Sequence, residues 1–369
     1  MENSIEIQTS CKRCNNSNAN LKIRSEDVCR SCFAFYITTK AIKRMERYRV
    51  RGSKSHIPKK LLFPLSYGPS SSSLLHILDG HLQGQYERMK KVAYELVVVH
   101  IDLYVTEEDR EFSARKLEQF KAQYPRHRFI SHGLEESLKL KEIDWNALGI
   151  SRFSHIGCPT GKLQHYLASI KSPTDRADII IILLTRLLVR IGINNSCSCI
   201  LFGDSTTKLA EKTLTETAKG RGIALPWQIC DEASAYGIGF NYPMRDLLKK
   251  EIVKYVSISP CLESLIIHEQ VASISANPKS VTINDLMLQY FQSSEEDYPG
   301  IVANVVRTAS KLSVASDNTK NCCGICGIPC CLNEYTSQYS HQPLETTKLA
   351  ERPGLEPSFC HGCVKLISR

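Results

Sequence analysis

The sequence predicts an α/β protein built on a doubly wound parallel sheet, with a small cysteine ribbon at each end. Three observations carry this prediction. Through the middle of the chain, short apolar runs alternate with helical patterns of about ten or more residues, which is typical of a parallel sheet covered by helices. Two pairs of cysteines open the chain, and a second group of cysteines closes it.

Length and charge set the outer limits of the prediction. The chain has 369 residues, 42% of them hydrophobic, so it can bury one large core or two ordinary ones and is not globally disordered. Its 47 Lys and Arg residues against 38 Asp and Glu residues give a net charge of +9. The first 60 residues hold 14 basic and 5 acidic residues, so the whole excess lies there. Such a segment indicates a polyanionic partner, most often nucleic acid.

The cysteine usage and the amino terminus predict a cytoplasmic protein. Sixteen cysteines in a chain that begins MENSIEIQTS, without an apolar leader, fit a reducing compartment better than a secreted disulfide framework. The longest apolar run, Ile179–Leu184, is far shorter than the roughly 20 residues that a membrane span requires. We therefore expect no membrane partner.

The first predicted element is a zinc ribbon at residues 1–38. Its ligands are Cys11, Cys14, Cys29 and Cys32, in the pattern Cys-x2-Cys-x14-Cys-x2-Cys. Each Cys-x2-Cys pair points two thiolates at one ion, and four thiolates leave no open position for catalysis. Zinc here is therefore structural. Reactive thiols or a disulfide pair remain the alternative.

A basic helix and linker follow at residues 39–60, with a helical pattern as far as about Val50. We expect a nucleic acid or another polyanion to bind here, with Tyr36 and Tyr48 as stacking groups and a strong dependence on salt. A solvated basic helix is the alternative. The predicted contacts are Lys40, Lys43, Arg44, Arg47, Arg49, Arg51, Lys54, Lys59 and Lys60.

The predicted α/β core spans residues 61–260, with a helical extension at 261–315. Expected strands are Leu61–Leu65, Tyr94–Ile101, Arg128–Ser131 and Cys199–Phe202. Expected helices are Ser70–Leu78, ended by Gly80, then Phe112–Tyr124, Ser172–Ile191, Thr206–Lys219, Met244–Val256 and Ile283–Phe291.

Polar loops at the strand ends indicate an anion site. A strand, a Gly/Ser loop and a helix start run through Leu61–Gly80, which aims backbone N–H groups at a phosphate. The same edge receives the ends of the strands before Asp102 and Gly203. A plain turn, a satisfied strand end and simple helix capping are the respective alternatives. The candidate nucleotide-binding residues are Ser66, Gly68, Ser70, Ser71, Ser72, His100, Asp102, Gly203 and Asp204.

A second zinc ribbon is predicted at residues 316–369, with Cys323, Cys326, Cys360 and Cys363 as the preferred ligands. Competing ligands are Cys322, Cys330, Cys331 and His361. The cysteines between the ribbons are Cys158, Cys197, Cys199, Cys230 and Cys261. Taken singly, these five are expected to be buried apolar side chains rather than nucleophiles.

Taken in order, these motifs resemble the cytoplasmic tRNA 2-thiolation protein 2 family. The resemblance rests on Cys29-Arg-Ser-Cys32-Phe33, on the loop that runs from Ser66 to Ser73, on Gly203–Lys212 with Gly220-Arg221-Gly222, on Pro243–Asp246, and on the closing cysteines. It implies a core of the ATP-pyrophosphatase (adenine nucleotide alpha hydrolase-like) type. In the pyrophosphate loop SGGxDS of that superfamily, Tyr67 here replaces the first glycine and Ser70 stands at the aspartate position.

The resemblance implies a subunit of the complex that places sulfur on C2 of the wobble uridine of tRNAs. Its implied partners are a catalytic paralogue, tRNA and a ubiquitin-like thiocarboxylated sulfur carrier, with weak or absent ATP binding. The paralogues have an intact loop and a core Cys-x2-Cys with a third cysteine. Here Cys158-Pro-Thr-Gly161 lacks the second cysteine of that pair.

These departures favour a tRNA-binding, non-catalytic partner. Two alternatives remain. One is an adenylating sulfurtransferase that uses Cys158 and Cys230; the other is a zinc-ribbon nucleic-acid binder without modification chemistry.

Overall fold

The computed structural model describes residues 10–15, 18–48, 57–103, 106–232, 234–267, 281–312, 322–329 and 359–368. The chain starts with a two-stranded antiparallel ribbon made of β1, Leu21–Ile23, and β2, Glu26–Val28. Helix α1, Arg30–Arg44, begins directly after Cys29, and a 3-10 turn follows at Glu46–Tyr48.

A five-stranded parallel sheet forms the centre of the molecule, as predicted. Its strand order is β5-β4-β3-β6-β7, so the chain winds outward in both directions from β3. The edge between β3 and β6 is the topological switch point, where doubly wound sheets bind ligands. The strands are β3 (Lys59–Pro64), β4 (Tyr94–Asp102), β5 (Arg128–Gly133), β6 (Cys199–Leu201) and β7 (Gly239–Asn241).

Helices cover both faces of this sheet. In chain order they are α2 (Pro69–Met89), α3 (Glu107–Gln123), α4 (Pro159–Ser169), α5 (Pro173–Asn194), α6 (Thr206–Ala218), α7 (Leu225–Ile229), α8 (Lys249–Ser257), α9 (Pro260–Glu263), α10 (Ile283–Asp297), α11 (Pro299–Ala309) and α12 (His361–Ile367). None of the helices in the described parts of the chain is both long and apolar enough to cross a lipid bilayer.

Alternate residues of each strand point into two separate hydrophobic cores, one on each face of the sheet. Leu61 and Phe63 of β3 point to the core that α1, α2, α3 and α8 cover. Leu62 points to the opposite core, which α4, α5, α6, α10 and α11 cover. This alternation follows from the two-residue period of a strand. It places both faces of the sheet out of water.

The basic helix lies within the first of these layers. The helix predicted from Lys40 onward covers only the last five of its 15 residues, because α1 starts at Arg30 and ends at Arg44. The apolar side chains of Phe33, Ile37, Ala41 and Met45 recur at helical spacing and are buried in the first core, where α1 contacts α2 and α8. The helix is therefore a structural layer of the core and not a separate basic arm.

Helix α2 passes through Gly80, where the sequence predicted its end. It continues to Met89 and ends with Lys90 in a left-handed conformation. An interior glycine costs about 1 kcal/mol relative to alanine. Beyond it, Leu82 and Gln85 are buried, and Gln85 accepts a hydrogen bond from the Ala93 backbone N–H at 3.0 Å. Tertiary packing thus overrides the local stop signal.

Other elements differ from the prediction mainly in their bounds. The helix expected from Met244 begins at Lys249, because Met244 and Leu247 are buried in a turn that precedes it. The Leu247 carbonyl accepts the Thr206 N–H at 2.8 Å, so it bonds to the start of α6 and not within a helix of its own. Helix α3 starts five residues before Phe112, at Glu107, where Thr106 caps it. The sequence analysis did not predict β7, α4, α11 or α12.

Candidate nucleotide loop and metal centres

The predicted nucleotide loop lies at the switch point, between the end of β3 and the start of α2. Gly68 is the residue before the helix and Pro69 is its first residue. The Ser71 hydroxyl accepts a hydrogen bond from the Ser66 backbone N–H at 3.2 Å and lies 3.0 Å from the Ser66 hydroxyl. The loop is therefore closed by hydrogen bonds between its own serines. Such bonds occur both in plain strand-to-helix turns and in phosphate-binding loops.

Tyr67 fills the inner side of this loop. Its backbone adopts a φ of 61°, in the left-handed region that favours glycine, and its side chain is fully buried. The ring stacks on His100 at 4.1 Å and on Phe120 at 5.5 Å between ring centroids. The Tyr67 hydroxyl donates to the Ser113 carbonyl at 3.2 Å. A bulky ring is thus held at the position of the first glycine in the loop pattern SGGxDS.

His100 is a satisfied residue at the end of β4. Its Nδ1 lies 2.8 Å from the Leu65 carbonyl, so Nδ1 carries the proton, and Nε2 accepts from the Ser113 hydroxyl at 2.9 Å. Burial lowers the pKa of His100, which keeps the ring neutral. Asp102 is the last residue of the same strand and is half-buried.

The second predicted loop meets the first one. A side chain on Gly203 would lie 2.9 Å from the Ser71 Cα, so glycine is required where the two loops touch. Asp204, half-buried, precedes Ser205, whose hydroxyl caps α6 by accepting the Lys208 backbone N–H at 3.2 Å. Gly203 therefore serves close backbone packing, and Ser205 serves capping.

The remaining serines of the loop lie along the start of α2. Ser70 is half-buried, while Ser71 and Ser72 are buried. Among the residues that the structure describes, the Ser72 hydroxyl has no hydrogen-bond partner. The structure brings the serine loop, His100 and Gly203 to one sheet edge, as the sequence predicted.

The amino-terminal cysteines converge on one point. The sulfur atoms of Cys11, Cys14, Cys29 and Cys32 all lie within 4.8 Å of one another. The Cys14 and Cys29 sulfurs are 3.8 Å apart, whereas a disulfide bond measures about 2.05 Å. Four sulfurs around zinc at about 2.3 Å would be separated by about 3.8 Å. The set fits a tetrahedral ion.

The carboxy-terminal cysteines form an equivalent set. The sulfurs of Cys323, Cys326, Cys360 and Cys363 lie within the same 4.8 Å limit and all four residues are buried. The Cys326 and Cys360 sulfurs are 3.8 Å apart. Of the predicted competitors, Cys322 and His361 are exposed and lie outside the set. Cys330 and Cys331 fall outside the described residues.

Polar contacts fix this second ribbon to the core. The Tyr236 hydroxyl donates to the Cys326 carbonyl at 2.8 Å, and the Asp144 N–H donates to the Gly324 carbonyl at 2.8 Å. Gly362, which lies between Cys360 and Cys363, packs directly against the buried Arg221 of the Gly220-Arg221-Gly222 segment. A side chain at Gly362 would lie 2.5 Å from the Arg221 Cγ. The ribbon is therefore built against the core and not merely tethered to it.

Arg221 belongs to a buried ion network that links α5 to the end of α6. Its Nε lies 2.8 Å from the Glu216 carboxylate, and Nη2 contacts Asp178. Lys219 Nζ is 3.1 Å from Asp178. Burial raises the pKa of Glu216, but the charges of Arg221 and Lys219 lower it by more, to below its usual value. Glu216 therefore keeps its charge beside the Arg221 guanidinium.

The candidate thiols lie in different surroundings. Cys158 is exposed and caps α4, its sulfur accepting the Gly161 N–H at 3.1 Å. Cys230 is half-buried, with its sulfur 3.9 Å from the Ser310 carbonyl, and burial raises the pKa of the Cys230 thiol. A raised pKa leaves less thiolate, which is the nucleophilic form. Neither thiol belongs to a described group of three or more ligands.

Two of the predicted tRNA contacts form ion pairs with the core. Arg44 lies 2.6 Å from the Asp246 carboxylate, and Arg47 lies 2.6 Å from the Glu232 carboxylate. Lys40, which is half-buried, lies over the Tyr36 ring at 5.6 Å. Lys43 is exposed and has no ion-pair partner among the described residues.

The other predicted contacts lie at the start of β3 or outside the described residues. Lys59 and Lys60 are the first two residues of that strand and are exposed; Lys59 lies over the Tyr48 ring at 5.7 Å. Arg49, Arg51 and Lys54 fall outside the described residues. Sequence analysis missed Tyr86, Arg126 and Arg128, which line a groove beside Lys60. They are spread over more than 40 residues, so no charge run marks them.

The model of the family cytoplasmic tRNA 2-thiolation protein 2 matches residues 282–352. A protein of that name from Sclerotinia sclerotiorum is 58% identical over 299 residues, which cover 80% of each chain. Another, from Phaeosphaeria nodorum, is 41% identical over 327 residues, 86% of this chain and 84% of its own.

A solved structure shares the fold. The U34-tRNA thiolase NcsA from Methanococcus maripaludis, solved with its 4Fe–4S cluster, superposes with a TM-score of 0.58. The match covers 88% of this chain and 94% of the thiolase at 15% identity, so it speaks for the fold.

Fold and site together define a doubly wound α/β protein with a serine loop at the switch point, packed from inside by Tyr67, and a four-cysteine site at each end. The identities above are high and cover most of the chain. The chain belongs to the cytoplasmic tRNA 2-thiolation protein 2 family. The family's name describes its members as cytoplasmic, in agreement with the localisation predicted from the sequence.

Proposed function

We propose that this chain is the tRNA-binding, non-catalytic subunit of a cytosolic complex that makes 2-thiouridine at U34 of tRNAs. Its partner is a catalytic paralogue with an intact pyrophosphate loop. There the C2 oxygen of uridine attacks ATP and releases pyrophosphate. Sulfur from a ubiquitin-like thiocarboxylated carrier then replaces that oxygen, which leaves with AMP.

One observation carries the non-catalytic assignment, namely the position of Tyr67. A pyrophosphate loop needs its backbone N–H groups open to the phosphates, and glycines allow that approach. Here the buried Tyr67 ring packs on His100 and Phe120 beneath the loop, and the Tyr67 carbonyl accepts the Ile267 N–H at 2.8 Å. Ser70 also supplies no carboxylate for magnesium. ATP binding by this chain is accordingly weak or absent.

The thiols support the same assignment. Sulfur transfer to an activated base requires a reactive thiol or a metal-held sulfide. Gly161 stands where a second cysteine would pair with Cys158, so the set for a cluster is incomplete. The two four-cysteine sites hold zinc in closed shells and act structurally.

The first test is biochemical. The chain is expected to copurify with its paralogue, to bind tRNA, and to release no pyrophosphate from ATP when tested alone with tRNA. The complex should thiolate U34, as measured by mass spectrometry of nucleosides. Pyrophosphate release by the isolated chain would show that it is a catalyst.

The second test replaces the thiols. Cys158→Ala and Cys230→Ala should leave U34 thiolation within about twofold of the wild type, since neither thiol handles sulfur. Cys261→Ala, at a half-buried cysteine of α9, is the matched control. Lost thiolation with an intact complex would instead assign the chemistry to this chain. If U34 thiolation survived deletion of the gene, the protein would instead be a nucleic-acid binder without a role in thiolation.

A further inference from the structure

A groove opens at the amino-terminal edge of the sheet, at the opposite ends of the strands from the serine loop. It has a volume of about 650 Å³ and lies between the last turns of α2 and the first residues of β4 and β5. Pockets of this size accept ligands as large as a nucleotide. Nothing in the mechanism proposed above uses it.

The groove combines an exposed aromatic ring with an apolar floor. Tyr86 is 52% exposed, and Lys90 Nζ lies 5.5 Å from its ring centroid. Leu82 and Val92 line the same groove. An open aromatic face beside a cation is the usual platform for a nucleic-acid base.

Cations line the rim. Lys60 and Arg128, both exposed, begin strands on either side of β4. Arg126 is held in place, since it donates to the Asp79 carbonyl at 3.2 Å and contacts Gln83. Glu95 also lines the groove and lies beside Lys60 in the register of β3 and β4. Arg126 also lies 3.9 Å from the Asp79 carboxylate, so Lys60 and Arg128 against Glu95 leave the groove with a net positive charge.

The predicted basic segment leads into this groove. Tyr48, at the end of the 3-10 turn after α1, lies 5.9 Å from Tyr94, the first residue of β4, with T-shaped geometry. Lys59 lies over the same Tyr48 ring. The carboxy-terminal end of α1 therefore reaches the edge where the groove opens, so its cations and those of the groove share one end of the molecule.

We propose that this groove binds a single-stranded part of the tRNA, with one unpaired base stacked on Tyr86 and adjacent phosphates paired with Lys60 and Arg128. The inference rests on the proposed tRNA-binding function and locates its contact. Stacking on Tyr86 supplies base affinity without sequence preference, and the cations supply phosphate affinity. An acidic protein segment would match the cations but would leave the exposed ring without a stacking partner.

The test measures RNA binding by the full chain, using fluorescence anisotropy with a labelled oligouridylate of about twelve nucleotides and with a tRNA transcript. Lys60→Gln with Arg128→Gln should weaken binding of both by about tenfold and reduce the salt slope by between about one and two. Arg307→Gln with Lys311→Gln, two exposed cations near the end of α11, makes the same charge change and should leave affinity within about twofold.

A second pair of variants tests the ring. Tyr86→Ala should weaken oligouridylate binding by about tenfold, while Tyr86→Phe, which keeps a stacking face, should not. These side chains are exposed, so unchanged circular dichroism is expected. Equal affinity of the groove variants and the Arg307/Lys311 control would overturn the groove. So would poly-glutamate that displaces the RNA as well as unlabelled oligouridylate does.

The two proposals fail in different ways. If the wild-type chain binds no RNA, the tRNA-binding role and the groove fall together. If it binds RNA and the groove variants match the control, the groove alone falls. Complex formation and U34 thiolation test the proposed function independently of both.

Discussion

At the scale of single residues, one substitution decides what the serine loop can do. A non-glycine residue in a left-handed conformation costs roughly 1 kcal/mol, and such strain persists only where the surroundings hold it. Tyr67 is held by two ring contacts and two hydrogen bonds, to Ser113 and from Ile267. Packing of the Tyr67 ring thus holds the inner side of the loop in its conformation.

Replacing Tyr67 with glycine should therefore not give this chain tight ATP binding. Tyr67→Gly is expected to relieve the left-handed strain but to lose a buried ring worth about 3–5 kcal/mol, for a net loss of about 2–4 kcal/mol of stability. Tyr67→Phe loses only the hydrogen bond to Ser113, about 1 kcal/mol. Urea unfolding and ATP titration of both variants measure this. A stable Tyr67→Gly protein that binds ATP tightly would contradict it.

The sequence predicted this site in part. The loop, the glycine that is missing at position 67 and the strand end at His100 could all be placed, because strand–loop–helix chemistry is local. That the Tyr67 ring turns inward and stacks on His100 and Phe120 could not, since these residues are 33 and 53 positions away. Only the sheet brings them together.

At the scale of elements, the ends of helices were the part that sequence patterns located least well. Gly80 reads as a helix stop, yet the buried Leu82 and Gln85 carry α2 nine residues further. The start of the basic helix was likewise predicted too late in the chain. Its lysines come after Phe33 and Ile37, which begin the apolar stripe that continues at Ala41. Tertiary packing in the first core, which helix propensity does not include, sets the ends of both helices.

The role of α1 as a core layer can be measured. Ile37→Ala, at a fully buried position, is expected to destabilise the protein by about 2–5 kcal/mol. Phe35→Ala, on the same helix but 70% exposed, should change stability by no more than about 0.5 kcal/mol. Thermal unfolding of both variants tests this. Equal, small effects would mean that the helix is a detachable arm.

At the scale of the whole molecule, the structure shows which of the excess cations in the first 60 residues are ion-paired. Two cations of the first sixth of the chain, Arg44 and Arg47, are paired with acids of the core. Such exposed pairs contribute little stability, yet they reduce the charge that is open to a phosphate backbone. The cations of Lys43, Lys59 and Lys60 have no ion pairs within the described parts of the chain.

The two four-cysteine sites hold the chain ends on opposite sides of the molecule. Cys11 and Cys29 belong to the core that includes α1, α2 and α8. The cysteines of the second site pack with Ile182 of α5, a helix that covers the other face. No described residue is shared by the two sets of ligands. Changes at sites so separated should add in their effect on stability.

Metal content then gives the sharpest test of this arrangement. Cys14→Ser or Cys363→Ser should each lower the zinc content from two ions per chain to one, measured by mass spectrometry of the metal, and should lower the melting temperature. In the double variant the losses of free energy should sum to within about 0.5 kcal/mol. Cys322→Ser, next to the second set but exposed and outside it, should keep both ions. If one substitution released both ions, the ribbons would form a single cooperative unit, and the two faces of the sheet would not be holding them independently.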